Sequence, residues 1–495
     1  MHRSLLTLAF ALGFVEGQSA WKIGNAVKTT SGTVIGQASG WKSEVSEYLG
    51  IPFAKPPQDD LRWTAPQAIT DDSKVINATK YGWACPESAS RASQGRPGGA
   101  ASSGASDVAT QREDCLTLNI YTKPQVGEKK KAVLIWIYGG GFVMGSNDNP
   151  AYNGAFLAEE HDVVTVTVNY RLSVLGFPGV ALPDKNLALL DQRKAVEWVR
   201  DNIEKFGGDP KRMILHGQSA GGASVDYYTY AWTQDPIISG FIPQSGSAAL
   251  RMGANAGNAT QNAINQWSSL SNQLGCGAVS ASDVTSTLAC MRSKPLSAVM
   301  DATAPKAGAS GMGTWGPKAD GKTVFEDLAD RGAKGNFIKA PMFVGNTNNE
   351  GANSGGKVGA KAALASNCAP RRAAQLRKDA GVPIWRYIYA GEFENQKKGP
   401  CSANSEGACH SAEISVVFGT NPLKKGGPDT ENEKKLVATL SKAWTEFAKD
   451  PAHGLEKMGW PQYDKSKPSV IVMGGKDSAD IKFESVDKLD TECPN

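Results

Sequence analysis

The stretch Arg212-Met213-Ile214-Leu215-His216-Gly217-Gln218-Ser219-Ala220-Gly221-Gly222-Ala223-Ser224 decides the fold. Met213 to Leu215 form a short apolar run suited to a buried parallel strand, and small residues follow Ser219, where a helix must start almost at once. A strand-to-helix turn that sharp crowds its own side chains. Gly217 and Gly221 relieve the crowding, so the G-x-S-x-G pattern holds the Ser219 hydroxyl above the strand end, facing the N–H groups of a new helix. Ser219 is the candidate nucleophile. Because five-residue patterns also recur by chance, it needs partners elsewhere in the chain.

Upstream, Val163 to Val168 reads as a buried strand, and Leu187 to Phe206 carries helical spacing through Leu190, Ala195, Trp198, Val199 and Ile203. That helix stops at Gly207-Gly208-Asp209-Pro210, and the strand to Ser219 follows. Strand, helix, strand in this order predicts a right-handed parallel crossover in an α/β sheet buried on both faces. An earlier apolar strand, Ala132 to Ile137, delivers the chain to Tyr138-Gly139-Gly140-Gly141-Phe142. Glycines there let backbone N–H groups approach a ligand closely. The N–H groups of Gly140, Gly141 and Ala220 are therefore the candidate oxyanion hole. A phosphate loop would need a following Lys-Ser/Thr, which is missing. Glu113 to Tyr121 alternates as a half-buried strand does, and the proline-rich Gly50 to Pro57 reads as a rigid surface connection. Further strands are expected at Pro341 to Gly345 and Ile384 to Tyr389, and an amphipathic helix at Lys435 to Ala448.

A serine nucleophile needs a base, usually histidine, because an alcohol is negligibly ionised near neutral pH. The chain has five histidines. His2 lies at the extreme N-terminus, His161 at a strand start, His453 in a polar segment, and His216 precedes the turn and reads as a packed structural residue. His410, in Gly407-Ala408-Cys409-His410-Ser411-Ala412-Glu413, remains as the base. The acid that orients it belongs just beyond a strand end, between serine and histidine in chain order. Glu350 fits, in Gly345-Asn346-Thr347-Asn348-Asn349-Glu350-Gly351 after the apolar Met342 to Val344. Asp320, Asp327 and Glu392 to Glu394 have no comparable context and read as surface carboxylates.

With 495 residues, 40% of them apolar and 21% charged, and no break in composition, one large domain over 21–495 is expected. Met1 to Ala20 reads as a cleaved secretory signal: a basic start, an apolar run from Leu5 to Val15 too short to span a bilayer, then small residues. No later segment has the length and apolarity of a membrane helix, so a soluble, exported protein is expected. Eight cysteines, an even number, fit an oxidising compartment. Asn77-Ala78-Thr79 and Asn258-Ala259-Thr260 are glycan acceptor sequences. A net charge of +4 without a basic stripe argues against nucleic acid. The Gly-, Ala- and Ser-rich segment 86–114 is either a cysteine-closed lid over a cleft or a tolerated surface insertion.

These motifs, with Asp191-Gln192, Phe206 to Pro210, Gln244-Ser245-Gly246-Ser247 and Val417-Phe418-Gly419, resemble the type-B carboxylesterase and lipase family, which includes the cholinesterases. Nearly the whole mature chain is covered. The resemblance implies an α/β-hydrolase fold, a large mostly parallel sheet with helices on both faces, and a Ser219–Glu350–His410 triad needing neither metal nor cofactor. It also implies the disulfides Cys85–Cys115 and Cys276–Cys290; Cys401–Cys409 and Cys368–Cys493 are then the expected remaining pairs. Two departures bear on substrate. Cholinesterases stack a quaternary ammonium on a tryptophan inside the first cysteine loop, whereas Pro86 to Asp114 holds no aromatic residue. Gln218, before the nucleophile, is neutral where the family often has glutamate. Phe142, Gln218, Phe241 and Phe418 are candidate substrate contacts, although each phenylalanine could equally pack. The expected function is a secreted carboxylesterase acting on small neutral esters. The alternatives are a lipase for longer-chain acylglycerols and a catalytically silent cholinesterase-like binding or adhesion protein.

Overall fold

The computed structural model describes residues 21–87, 111–124, 130–180, 182, 184–248, 259–280, 282–304, 315–351, 356–397, 401, 406–423, 427–490 and 493. The expected signal at 1–20, most of the 86–114 loop and the sequon at Asn258 lie outside them. The strands are β1 (Ala26–Thr29), β2 (Gly32–Ile35), β3 (Gln37–Ala38), β4 (Ser46–Pro52), β5 (Val75–Asn77), β6 (Thr117–Thr122), β7 (Lys131–Ile137), β8 (Val164–Val168), β9 (Gly208–Gln218), β10 (Gly240–Gln244), β11 (Met342–Thr347), β12 (Ile384–Tyr389), β13 (Val470–Gly475) and β14 (Ser478–Glu484).

An eleven-stranded sheet runs in the order β14-β13-β12-β11-β10-β9-β7-β8-β6-β4-β3. The stretch from β13 to β8 is parallel throughout, and the flanking strands β14, β6, β4 and β3 are antiparallel. The parallel strands β7, β8, β10, β11 and β12 are buried at every position; β7 and β12 are accordingly near-continuous apolar runs, while β8 alternates valine with threonine although both of its faces are covered. β7 is followed in the sheet by β8 on one side and β9 on the other. At such a reversal of strand order the loops that leave the carboxyl ends of the strands are where α/β folds place their sites. The glycine turn after β7 and the serine turn after β9 both leave the sheet at this point.

The helix at Leu187–Asn202 continues as a tighter 3-10 turn to Phe206 and stops at Gly207, whose φ of 82° needs a residue without Cβ. The helix Glu431–Lys449 begins earlier than its apolar pattern, because the Thr430 hydroxyl accepts the Glu433 N–H at 3.1 Å and caps it. Gly50-Ile51-Pro52 departs from expectation. It is the end of β4, an interior strand, and Ile51, Phe53 and Ala54 are core residues. Proline is tolerated there because it is the last strand residue, and pairing resumes at Phe53, whose N–H donates to Leu116 O. His161 ends the helix Ala155–His161 rather than starting a strand; its Nε2 lies 2.8 Å from Ser441 Oγ. Four disulfides join Cys85 to Cys115, Cys276 to Cys290, Cys368 to Cys493 and Cys401 to Cys409. A separate apolar cluster under the helix Ala259–Gln273 is centred on Trp63, packed edge-on to Trp267 at 5.1 Å. No helix of the described residues is long and apolar enough to cross a membrane.

The helix after Ser219, Ala220–Ala231, is tied to its surroundings through Asp226. One carboxylate oxygen accepts Arg377 Nη2 at 2.6 Å, and the other accepts Ser247 Oγ at 2.6 Å and Ala248 N at 2.8 Å. Both charged side chains are buried. Asp226→Ala therefore strands the Arg377 guanidinium in the core and is expected to cost about 3–5 kcal/mol in urea unfolding. Glu431→Ala, which removes the exposed ion pair with Lys434, is expected to leave the midpoint unchanged.

Candidate active site

Ser219 sits at the junction of β9 and the helix Ala220–Ala231 with φ 59° and ψ −120°, a conformation costly for a side-chain-bearing residue. Backbone hydrogen bonds hold it there: its N–H donates to Gln244 O at 2.8 Å, and its carbonyl accepts Ala223 N–H at 2.9 Å. Four glycines make the turn sterically possible. A Cβ on Gly217 would lie 2.6 Å, and one on Gly221 2.0 Å, from Ile137 O. A Cβ on Gly222 would lie 2.6 Å from Gln244 O, and one on Gly246 1.9 Å from Ser219 O. Gly217 and Gly221 are the glycines of the motif; Gly222, just after it, and Gly246, in the Gln244-Ser245-Gly246-Ser247 segment, are required as well and carry no local sequence signal.

The glycine turn after β7 closes against the elbow, since a Cβ on Gly139 would lie 2.8 Å from Ser219 Cβ. Gly140 and Gly141 adopt φ 118° and 64°, and the Gly140 carbonyl accepts the N–H groups of Val143 and Met144. Among the described residues, no hydrogen bond uses the N–H of Gly140, Gly141 or Ala220. Three unclaimed donors thus lie in the glycine turn packed against the elbow and at the residue after the serine. Five of the ten non-glycine residues at positive φ among the described residues, Phe142, Ser173, Ser219, Ser245 and Ser411, belong to these turns and the segments that adjoin them.

His410 reaches the elbow from the far side. Its Nδ1 bonds to Glu350 Oε2, and its Nε2 lies 3.1 Å from the Gln218 side-chain amide at the end of β9. Glu350 Oε1 accepts the Thr347 N–H at 2.8 Å. The Glu350 side chain is 2% exposed and that of His410 33%, so the carboxylate is sealed while the imidazole keeps an open edge. Burial alone would raise the Glu350 pKa; the His410 charge, the hydrogen bond to it and the Thr347 N–H outweigh that and hold it below the ordinary carboxylate value. Burial would likewise lower the His410 pKa, and the Glu350 carboxylate overcomes this and holds it above the ordinary histidine value.

A second buried carboxyl, Glu413, was not singled out in the sequence. It is 1% exposed and accepts Gln244 Nε2 at 3.3 Å, while Gln244 Oε1 accepts Trp444 Nε1 at 3.0 Å. Burial, then the neighbouring Glu350 charge, push its pKa up to about 7. His216 is fully buried, packed against Trp136 at 4.9 Å and Phe418 at 5.7 Å, and burial lowers its pKa to about 3. It is a neutral core residue.

Two expected substrate contacts are corrected. Phe241 lies inside β10 and packs on Tyr228, and Phe418 fills the space between Trp136 and His216; both are wholly buried. Each belongs to an element whose apolar side faces the core, so neither can meet a substrate. Phe142 remains partly exposed beside Phe177. Gln218 is buried and engages His410, rather than standing as an open pocket wall. Asn77 is exposed at the end of β5.

The model of the carboxylesterase family matches residues 24–367 and 358–487. The chain belongs to the carboxylesterase family. This carboxylesterase is a carboxylic ester hydrolase with the α/β-hydrolase fold. It is 34% identical to secreted lipase 5 of Gibberella zeae, across 94% of this chain and 93% of that one. It is 31% identical to a chlorogenic acid esterase of Aspergillus niger, across 92% and 91%. A solved PNB esterase structure superposes with a TM-score of 0.73 at 25% identity, covering 93% of this carboxylesterase and 97% of the other chain.

Two outcomes test this geometry. Gly246→Ala drives a methyl group into the Ser219 carbonyl and is expected to lower both the melting temperature and kcat, because the turn must shift to admit it. Glu413→Gln tests the second carboxyl. Its folded pKa lies above its unfolded one, so its contribution to stability is full below about pH 4.5 and fades as pH rises through about 7. The melting-temperature difference, variant minus wild type, should therefore grow from pH 5 to pH 8. A constant difference would mean that the buried carboxyl does not titrate there.

Proposed function

We propose that this carboxylesterase is a secreted serine esterase that cleaves neutral carboxylic esters through Ser219, His410 and Glu350. The observation that carries the reading is the placement of His410, with Nδ1 on a buried carboxylate and Nε2 directed toward the end of β9 that bears Ser219. In this mechanism the Ser219 hydroxyl attacks the ester carbonyl while His410 Nε2 takes its proton. Glu350 keeps the proton of His410 on Nδ1 and stabilises the imidazolium that forms. The carbonyl oxygen becomes an oxyanion within reach of the Gly140, Gly141 and Ala220 N–H groups, which have no competing partners to give up. His410 then returns its proton to the leaving alcohol, and water attacks the acyl-enzyme by the same steps in reverse.

Neutral esters are favoured by the amide of Gln218, which supplies no negative charge to attract a cation. Four disulfides, the N-terminal segment Met1 to Ala20 and the secreted relative support export. Because that relative is named a lipase, a second reading is an acylglycerol hydrolase. A lipase would increase its rate abruptly once a triglyceride exceeds its solubility; a soluble-ester carboxylesterase should saturate smoothly instead.

Ser219→Ala is expected to lower kcat on p-nitrophenyl butyrate by about 10⁴-fold or more, with folding retained; full activity would end the proposal. Since His410 must be neutral to act as base, kcat/KM should rise with pH. Its half-maximal point is expected above the ordinary histidine value of about 6.5.

A further inference from the structure

The acid and the base of the proposed triad come from loops 60 residues apart in the sequence, and something must fix their separation. The two loops are directly fastened to each other. Asn348 Oδ1 accepts the Ala408 N–H at 2.8 Å, Asn349 N–H donates to Ala408 O at 3.0 Å, and Asn349 Nδ2 donates to Glu406 O at 2.6 Å. Asn349 and Cys409 also pair as an isolated parallel bridge. The acid loop is anchored in the sheet by Asn348 N–H to Tyr389 O at 2.9 Å. The base loop is held on its outer side by Gly407 N–H to Glu392 Oε2 at 3.0 Å, and it is closed by the Cys401–Cys409 disulfide. Gly407 has φ 72°, and a Cβ there would stand 2.8 Å from Asn348 Oδ1. Glycine is what lets the asparagine close onto the loop.

We propose that Asn348 and Asn349 form a clasp that sets the Glu350–His410 separation, acting as positioning residues for the general base. This inference rests on the triad reading above. Asn348 is exposed on the outer face, and its side chain fills no core position. A polar surface residue of that kind is ordinarily replaceable, so an effect on chemistry would report the clasp rather than the stability of the fold. The groups that face His410 are Glu350 from the loop after β11, Gln218 from the end of β9, and Glu413 from the turn after the histidine. Of these, the clasp controls Glu350. If it opens, the carboxylate moves from Nδ1 and the imidazolium loses its main stabilising charge.

The test is the Asn348→Ala/Asn349→Ala double variant of the full chain, assayed on p-nitrophenyl butyrate across pH. The expected result is a fall of about 10-fold in kcat, an unchanged KM, and an acid limb of kcat/KM displaced to lower pH. The low-field Nδ1–H proton resonance of His410 should move upfield as well. Asn348→Asp keeps the accepting oxygen and should restore most of kcat when combined with wild-type Asn349. A folded double variant with unchanged kcat and an unmoved acid limb overturns the clasp. If the double variant does not fold, Gly407→Ala, which pushes on the same amide from the other loop, must give the same fall and the same pH displacement, and its failure to do so equally overturns the proposal. Fluorophosphonate labelling of the wild type separates the two levels. Absence of label on Ser219 removes the triad reading itself, whereas a labelled wild type beside an unaffected variant removes only the clasp.

Discussion

Everything at the site depends on a steric constraint: three backbone segments meet where β9 turns into its helix, with no room for a Cβ at the contacts. Gly221 lies against Ile137 O, Gly222 against Gln244 O, and Gly246 against Ser219 O. The turns after β7 and β10 are thereby locked to the serine turn. Packing at this density makes the arrangement stiff, because no small displacement of one segment leaves the others undisturbed. The strained backbone of Ser219 persists because its N–H and carbonyl are both held by hydrogen bonds. The same crowding places the Gly139–Gly141 turn beside the serine, with three N–H donors committed to nothing else among the described residues.

Electrostatics supply the second level. Two carboxyl groups, Glu350 and Glu413, are buried near one histidine, and their environments drive their pKa values in opposite directions. Glu350 has a cation to pair with and backbone donation from Thr347, and it stays charged. Glu413 is buried with a like charge nearby, and together these outweigh the Gln244 amide that it accepts, so it keeps a proton over most of the acid range. Glu350, hydrogen-bonded to Nδ1, is the partner that decides the orientation of the imidazole, and Glu413 adds a smaller charge effect as it ionises.

The parallel strands and the serine turn were legible because both write themselves locally. Continuous apolar runs mark strands buried on two faces, and the turn demands small residues at fixed offsets. His410 was legible by elimination among few histidines, and Glu350 by its position after a strand. What the sequence concealed is what depends on distant packing. Gly246 is needed only because Ser219 O arrives from elsewhere in the chain. Phe241 and Phe418 have the composition of pocket walls, yet the side of the element each occupies faces the core, and no local pattern distinguishes those cases. Pro52 suggested a surface connection because proline rarely enters sheets, and the strand simply ends on it. Glu413 and the asparagines before Glu350 are ordinary polar residues until the fold sets them beside the histidine.

The central claim is that the crowded turn presents Ser219 to His410 on one side and to the Gly140, Gly141 and Ala220 N–H groups on the other. A crystal structure of the enzyme inactivated by a dialkyl fluorophosphate measures this directly. The account predicts a single covalent bond from phosphorus to Ser219 Oγ, with the phosphoryl oxygen about 2.7–3.1 Å from those N–H groups and His410 Nε2 on the opposite side of the serine oxygen. An adduct on any other residue, or a phosphoryl oxygen turned away from the glycine turn, would contradict it.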